Sequence, residues 1–281
     1  MPFDQKPLAL FYNKDLFDKF AVPYPKDGMT WANAAELAKA TTRQDGGVSY
    51  YGINFNAQQL LYKNQLALPF VDAKTNAAAL DTDSWKGWMN EMSALFQLPG
   101  MQPALPLNNV NQFQKDKNLA MVVTTNMLGT AGMEAAIKEG LNWDMVSVPN
   151  FAGKQGGQLN TSLLTIPVAS KNKDAAFAVI RALMSPEAQL IRSRQGIVSI
   201  IDTPEIRAGF SADIAYAKGK NIQSLYRDTI AKPIAATKFD GGAKDKIMVQ
   251  TFKDIASGTK DAVTALRNAQ EEMNKYIASQ K

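Results

Sequence analysis

Polar side chains beside a pair of glycines are the first residues whose types could bind a ligand. Gly156 and Gly157 precede Gln158 and Asn160, whose amides both donate and accept hydrogen bonds. Glycines lack side chains and let a ligand approach the backbone, and an apolar strand pattern continues to Ile166. We interpret this stretch as part of a ligand cleft between two lobes. A simple turn into a strand is the alternative.

Catalytic chemistry has few candidate residues. The sequence contains no cysteine and no histidine, which excludes disulfides, thiolate zinc sites, cysteine nucleophiles and the Ser-His-Asp triad. Asp81 and Asp83 would share one face of an extended segment, as the paired carboxylates of a glycosidase require. The alternative, which we favour, is that both complement the dipole of a helix capped by Ser84. We therefore predict no enzyme, no metal and no cofactor.

Composition and charge limit the classes of partner that the chain could bind. With 281 residues, 46% hydrophobic and 20% charged, the chain has an ordinary globular balance and enough length for two lobes. The net charge of +5 arises from single, scattered basic residues in the second half, which is not the clustered pattern of a nucleic-acid surface. No apolar run is long enough to span a membrane, and the first six residues do not form a signal peptide.

Strands alternate with helices along the chain. Strands are predicted at residues 8–12, 48–55, 119–124, 143–148 and 156–166. Helices are predicted at residues 30–39, 58–66, 84–96, 133–138, 172–184 and 185–195, followed by a helical carboxy-terminal part. Trp85, Trp88, Met89, Met92 and Phe96 repeat at helical spacing, and we assign them to the core. The alternation predicts an α/β fold with mixed sheets.

Short motifs resemble, in order, the extracellular solute-binding proteins of family 1, the carbohydrate-binding group that includes maltose-binding protein. They are LFYNKDLF at residues 10–17, GMTW at 28–31, LAMVVT at 119–124, SKNKDAA at 170–176, MSPEAQ at 184–189 and ASGTK at 256–260. Each motif is short, but their shared order extends over almost the whole chain.

The resemblance implies a periplasmic-binding-protein-like type II two-lobed fold whose amino-terminal lobe is incomplete, because the crossover strand near residue 8 normally follows about a hundred further residues. Residues 1–155 would hold the carboxy-terminal lobe core, 156–230 the returning part of the amino-terminal lobe, and 231–281 the last helices. The implied function is binding of a sugar or oligosaccharide and its delivery to an ABC permease. The implied location is extracellular, on a membrane-anchored lipoprotein, and the full-length protein would be monomeric.

The resemblance also places the ligand contacts. The segment after the strand at residues 48–55 would form one side of the cleft, the turn at Asn126 a second, the glycine pair a third, and the glycines at 241–242 a fourth. The predicted ligand-binding residues are Asn54, Asn56, Gln58, Gln59, Tyr62, Asn126, Gln158, Asn160, Phe239 and Asp240. A plain turn is the alternative at Phe239 and Asp240.

Two aromatic residues of the family pattern are missing. Many relatives carry a stacking tryptophan near Met127 or Leu128, and a late aromatic at the position that matches Asp245. Their absence favours an alternative function, a non-catalytic sensor or interaction protein of the same fold that does not bind sugar.

Overall fold

The computed structural model describes residues 1–101, 110–151, 156–227 and 230–280, with the backbone alone at residues 244 and 245. The strands are β1 Pro2–Lys6, β2 Leu8–Asn13, β3 Arg43–Asp45, β4 Val48–Phe55, β5 Leu119–Thr125, β6 Trp143–Ser147 and β7 Asn160–Leu163. The first six helices are α1 Lys14–Lys19, α2 Trp31–Thr41, α3 Ala57–Tyr62, α4 Asp83–Ala94, α5 Val110–Gln114 and α6 Ala131–Lys138. The next six are α7 Lys173–Leu183, α8 Pro186–Arg194, α9 Pro204–Gly209, α10 Asp240–Gly242, α11 Val249–Ala256 and α12 Ala262–Ser279.

A five-stranded mixed sheet forms the centre, in the order β3-β4-β5-β2-β6. β4 and β5 run parallel, and the other neighbours are antiparallel. β2 lies between β5 and β6, where Phe11 pairs with Val122 on one side and Met145 on the other. All six residues of β2 are buried, as expected for an apolar strand inside a covered sheet. The predicted α/β fold with mixed sheets is confirmed.

Helices cover both faces of this sheet. On one face, side chains of α2, α3, α4, α11 and α12 form the larger hydrophobic cluster with Leu10 and Ile53. On the other face, Phe113 and Met133 pack with Phe11, together with Phe210 and Leu225 from the later part of the chain. The predicted core stripe is confirmed, since its four apolar side chains in α4 and Phe96 just beyond the helix are at most 2% exposed.

The predicted cap of α4 is wrong. Thr82, not Ser84, caps α4, because its hydroxyl accepts the amide of Trp85 at 3.2 Å and the helix begins at Asp83. Asn172 occupies the N-cap position of α7, but its side chain makes no capping hydrogen bond. Ser185 does cap α8, accepting the amide of Ala188 at 3.2 Å.

The helical carboxy-terminal part is more broken than predicted. Between α9 and α10 the structure has short 3-10 turns at Ala215–Ala217 and Ile222–Tyr226 in place of regular helices. Ser211 and Gly219 adopt left-handed backbone conformations that interrupt a regular helix. A π-helical turn, Ala243–Met248, joins α10 to α11.

A second, two-stranded sheet pairs β1 with β7 antiparallel, with Lys6 opposite Asn160. Its second strand covers only Asn160–Leu163, shorter than the predicted 156–166, although Leu164 still exchanges backbone hydrogen bonds with Met1. β1 continues through Pro7 directly into β2. One continuous segment therefore belongs to both sheets.

Glycine allows one close approach within the five-stranded sheet. A Cβ at Gly52 of β4 would lie 2.2 Å from the carbonyl oxygen of Ala38 in α2. The Gly52 amide also donates to the hydroxyl of Thr42 at 2.9 Å. Backbone therefore packs directly against backbone where α2 meets β4.

Candidate functional site

The chain passes between the two sheets in three short segments, which we call crossings. The first crossing comprises residues 6–8, the second 156–160 and the third 196–199. The third lies beside β1, where the amide of Gln5 donates to the carbonyl of Val198 at 2.8 Å. Segments that join two units in this way are the usual place for hinge bending.

A cavity of about 590 Å³ lies between the first and third crossings, at the carboxyl end of β5. Its size is in the range of small-molecule sites, and the carboxyl ends of strands are where open α/β sheets bind ligands. The polar lining residues are Asp4, Gln5, Lys6, Thr125, Asn126, Thr130, Gln195 and Asp213. They offer carboxylates, amides, hydroxyls and an ammonium group to a ligand.

Asn126 is the predicted contact that lines this cavity. Its side chain accepts the amide of Leu128 at 3.0 Å and donates to the carbonyl of Gly196 at 2.6 Å. Its own backbone amide donates to the carbonyl of Pro7 at 3.2 Å. Asn126 therefore holds the first and third crossings together at the edge of the cavity.

The predicted amides after β4 divide into two groups. Asn54 is fully buried and its side chain accepts the amide of Phe55 at 2.7 Å. Asn56 caps α3 by accepting the amide of Gln59 at 3.1 Å, so the helix begins one residue before the predicted Gln58. Gln58, Gln59 and Tyr62 are half-buried on α3.

Gln158 and Asn160, which follow the glycine pair, lie in different surroundings. Gln158 is 8% exposed, and its side chain donates to the carbonyl of Lys232 at 3.1 Å. Its backbone amide donates to the carbonyl of Lys63 at 3.1 Å. Asn160 is exposed at the start of β7. Gln158 therefore ties the second crossing to Lys63 and Lys232, and Asn160 faces solvent.

Phe239 and Asp240 lie inside the carboxy-terminal part. Phe239 is 3% exposed within the larger hydrophobic cluster. Asp240 is 5% exposed, and its carboxylate accepts the amide of Thr237 at 2.8 Å and its hydroxyl at 3.0 Å. These contacts fit the turn that was the alternative at this position. As ligand contacts, these two residues and the other candidates from the sequence stay predictions.

Asp81 and Asp83 both pair with one lysine at the start of α4. The Lys86 ammonium lies 2.8 Å from a carboxylate oxygen of Asp81 and 3.6 Å from one of Asp83, and this pairing raises the pKa of Lys86. The geometry agrees with the helix-terminus interpretation of the two aspartates.

Sequence reasoning missed Lys63, which is only 2% exposed. Its ammonium donates to the carbonyl of Lys6 in the first crossing. Burial, and then the charge of Lys6, lowers the pKa of Lys63 to about 8. No local pattern distinguishes this lysine from surface lysines, because the residues that bury it are distant in the sequence.

In the described part of the chain, no helix combines the length and apolar character that a membrane crossing needs. Within the same residues, no group of three or more acidic side chains is arranged to hold a metal ion.

Comparison with solved structures finds the same fold. An ABC substrate-binding protein from Listeria monocytogenes, in complex with cycloalternan, superposes with a TM-score of 0.79 at 18% identity, over 99% of this chain and 71% of that one. A sugar transporter from Rhizobium etli in an open conformation gives 0.74 at 19%, over 100% and 72%. A cyclic alpha-maltosyl-1,6-maltose binding protein from Arthrobacter globiformis gives 0.71 at 15%, over 99% and 72%.

Sequence comparison gives the family. A search of curated proteins finds no match. The profile of the bacterial extracellular solute-binding proteins matches residues 1–190, which is more than half of the chain. Together with the two-lobed fold of the similar structures, this match confirms the predicted resemblance. The chain belongs to the bacterial extracellular solute-binding protein family.

Proposed function

We propose that this chain is the solute-binding component of an ABC importer and that it binds a sugar or polyol between its two sheets. The observation that carries the proposal is the polar cavity of about 590 Å³ at the carboxyl end of β5, between two crossings. Similar structures are described with cycloalternan, alpha-D-tagatose and D-mannitol bound, which supports a ligand rich in hydroxyl groups.

The lining suits such a ligand. Hydroxyl groups donate and accept hydrogen bonds, and the ammonium of Lys6 and the amide of Gln195, both exposed at the cavity, offer both kinds of partner. Among the described residues around this cavity none is aromatic. We therefore expect recognition through hydrogen bonds, with little stacking on the sugar ring.

The remaining roles belong to the same proposal. The ligand is delivered to permease subunits in the membrane, and the protein works outside the cell without catalysing a reaction. Residues 156–230 are the predicted returning part of the amino-terminal lobe. Phe210 and Leu225 within that range pack on the five-stranded sheet, so we propose that the returning part ends before Phe210 and that the chain on either side of it forms the carboxy-terminal lobe.

The second candidate function is a non-catalytic sensor of the same fold. The absence of aromatic residues among the described lining residues favours it, because stacking is a common part of sugar recognition. The two functions differ in whether a sugar binds.

Calorimetric titration separates them. We expect one of mannitol, tagatose, mannobiose or cycloalternan to bind, and to raise the thermal midpoint because it binds only the folded state. Lys6→Met should weaken the binding of that ligand by about tenfold, because one charge-assisted hydrogen bond is lost. Lys171→Met is the matched control, since Lys171 is an exposed lysine outside the cavity. Failure of every sugar and polyol to bind would refute the carbohydrate assignment.

A further inference from the structure

Lys63 is a buried cation at the end of α3. Its side chain is almost fully enclosed, and its ammonium donates to a main-chain carbonyl, that of Lys6. Within the described residues no carboxylate lies within ion-pair distance of it. Burying an ammonium group without a counter-charge costs free energy. Such a residue points to a role other than stability.

The backbone of Lys63 makes two more connections. Its amide donates to the carbonyl of Gln59 at 3.0 Å and ends α3. Its carbonyl accepts the amide of Gln158 at 3.1 Å. The carbonyl can come this close because residue 157 is glycine, where a Cβ would lie 2.9 Å from the Lys63 oxygen. A single residue thus joins α3 to the first and second crossings.

The third crossing is held differently. Asn126 donates to the carbonyl of Gly196 there, and Gln5 donates to Val198. Neither bond includes Lys63. The first and second crossings therefore share one connection to α3, which the third lacks.

We infer that Lys63 is the positioning residue that couples α3 to the hinge, by which we mean the first and second crossings. A ligand in the cavity would contact the first crossing at Lys6, and a displacement there would reach α3 and the second crossing through Lys63. The inference rests on the proposed function for the ligand. Its test uses none, so failure of sugar binding and failure of the coupling are separate results.

The test measures how tightly the two sheets are held relative to each other. The chain has no cysteine, so Lys39→Cys on α2 and Ala178→Cys on α7, both exposed, give a single pair of spin labels. The distance distribution between them is recorded by pulsed electron paramagnetic resonance in the full chain without ligand. Lys63→Met should broaden this distribution by about twofold, because the first crossing loses its connection to α3, while the backbone carbonyl of residue 63 can still accept the Gln158 amide.

Lys117→Met is the matched control. The Lys117 ammonium also donates to a backbone carbonyl, that of Glu139, but away from the crossings. We expect this variant to keep the distribution of the parent protein. Equal widths for Lys63→Met, Lys117→Met and the parent would overturn the inference.

Gly157→Ala tests the same connection from the other side. The added methyl group must displace the Lys63 carbonyl, while the ammonium group remains. We expect broadening here as well. If Lys63→Met fails to fold by circular dichroism, this variant decides: an unchanged distribution would overturn the inference, and a broadened one supports it.

Discussion

The two sheets of this protein differ in how much of their surface is covered. In the five-stranded sheet, helices pack on both faces, and Phe11 and Phe252 are fully buried. Beside the two-stranded sheet, Leu163 of β7 is 64% exposed and Phe177 of α7 is 49% exposed. The same types of apolar residue therefore have different surroundings in the two regions.

This difference shows where the folding free energy arises. Burial of apolar surface stabilises a fold in proportion to the area removed from water. In α7, only Ile180 is buried, whereas Phe177 and Val179 are exposed. A two-stranded sheet is only marginally stable by itself. The five-stranded sheet and its helices therefore supply most of the stability of the chain.

The strongest test of the comparison removes one phenylalanine ring from each region. Phe252→Ala should lower the free energy of unfolding by about 3–5 kcal/mol, because the ring fills a core among Phe55, Trp88 and Phe96. Phe177→Ala should change it by less than about 0.5 kcal/mol, as for other exposed positions. Urea unfolding followed by tryptophan fluorescence measures both. Equal losses would contradict the comparison.

An effect of intermediate size is expected on the pH dependence of stability, through Lys63, which lies where the two regions meet. In the unfolded chain Lys63 keeps its proton to about pH 10.4, whereas burial lowers its folded pKa to about 8. The unfolded state therefore binds more protons between these values, and stability rises with pH there. Relative to Lys63→Met, the parent protein should gain about 3 kcal/mol between pH 7.5 and 10.5.

Urea unfolding at several pH values checks this, because other titrating groups are common to both proteins. Lys6 is the other charge that acts on Lys63. Lys117→Met serves again as the control for loss of a lysine bound to a carbonyl. Parallel stability curves for the parent and Lys63→Met would show that the lysine does not titrate as expected.

The smallest expected effect on stability is on the open side of α7. Replacing Phe177 and Val179 together by serine should change the free energy of unfolding by less than about 1 kcal/mol, since both are exposed. The same change should reduce binding of a hydrophobic dye and self-association in sedimentation velocity, because exposed apolar patches promote association. Serine at Ala175 and Ala178, also exposed on α7, is the control.

Much of the fold could be predicted because its signals are local. The apolar runs of β2, β4 and β5, the stripe of α4 and the Ser185 cap depend on neighbouring residues. β1 was not predicted. Its residues are mostly polar and lack the apolar pattern that predicts a strand, and its partner β7 lies more than 150 residues away.

The candidate site was less predictable because its side chains bond to partners that are distant in the sequence. Sequence identifies amides such as Asn126 and Gln158 but not their partners. Both turn out to be bonded to main-chain carbonyls, at Gly196 and Lys232. The burial of Lys63 depends on segments that only the folded chain brings together.

The contact between Gly52 and Ala38 has a mechanical consequence. Because backbone meets backbone there, α2 cannot slide along β4 at this point without a collision between main-chain atoms. The contact therefore resists shear between α2 and the five-stranded sheet, and leaves bending of the chain to the crossings between the two sheets.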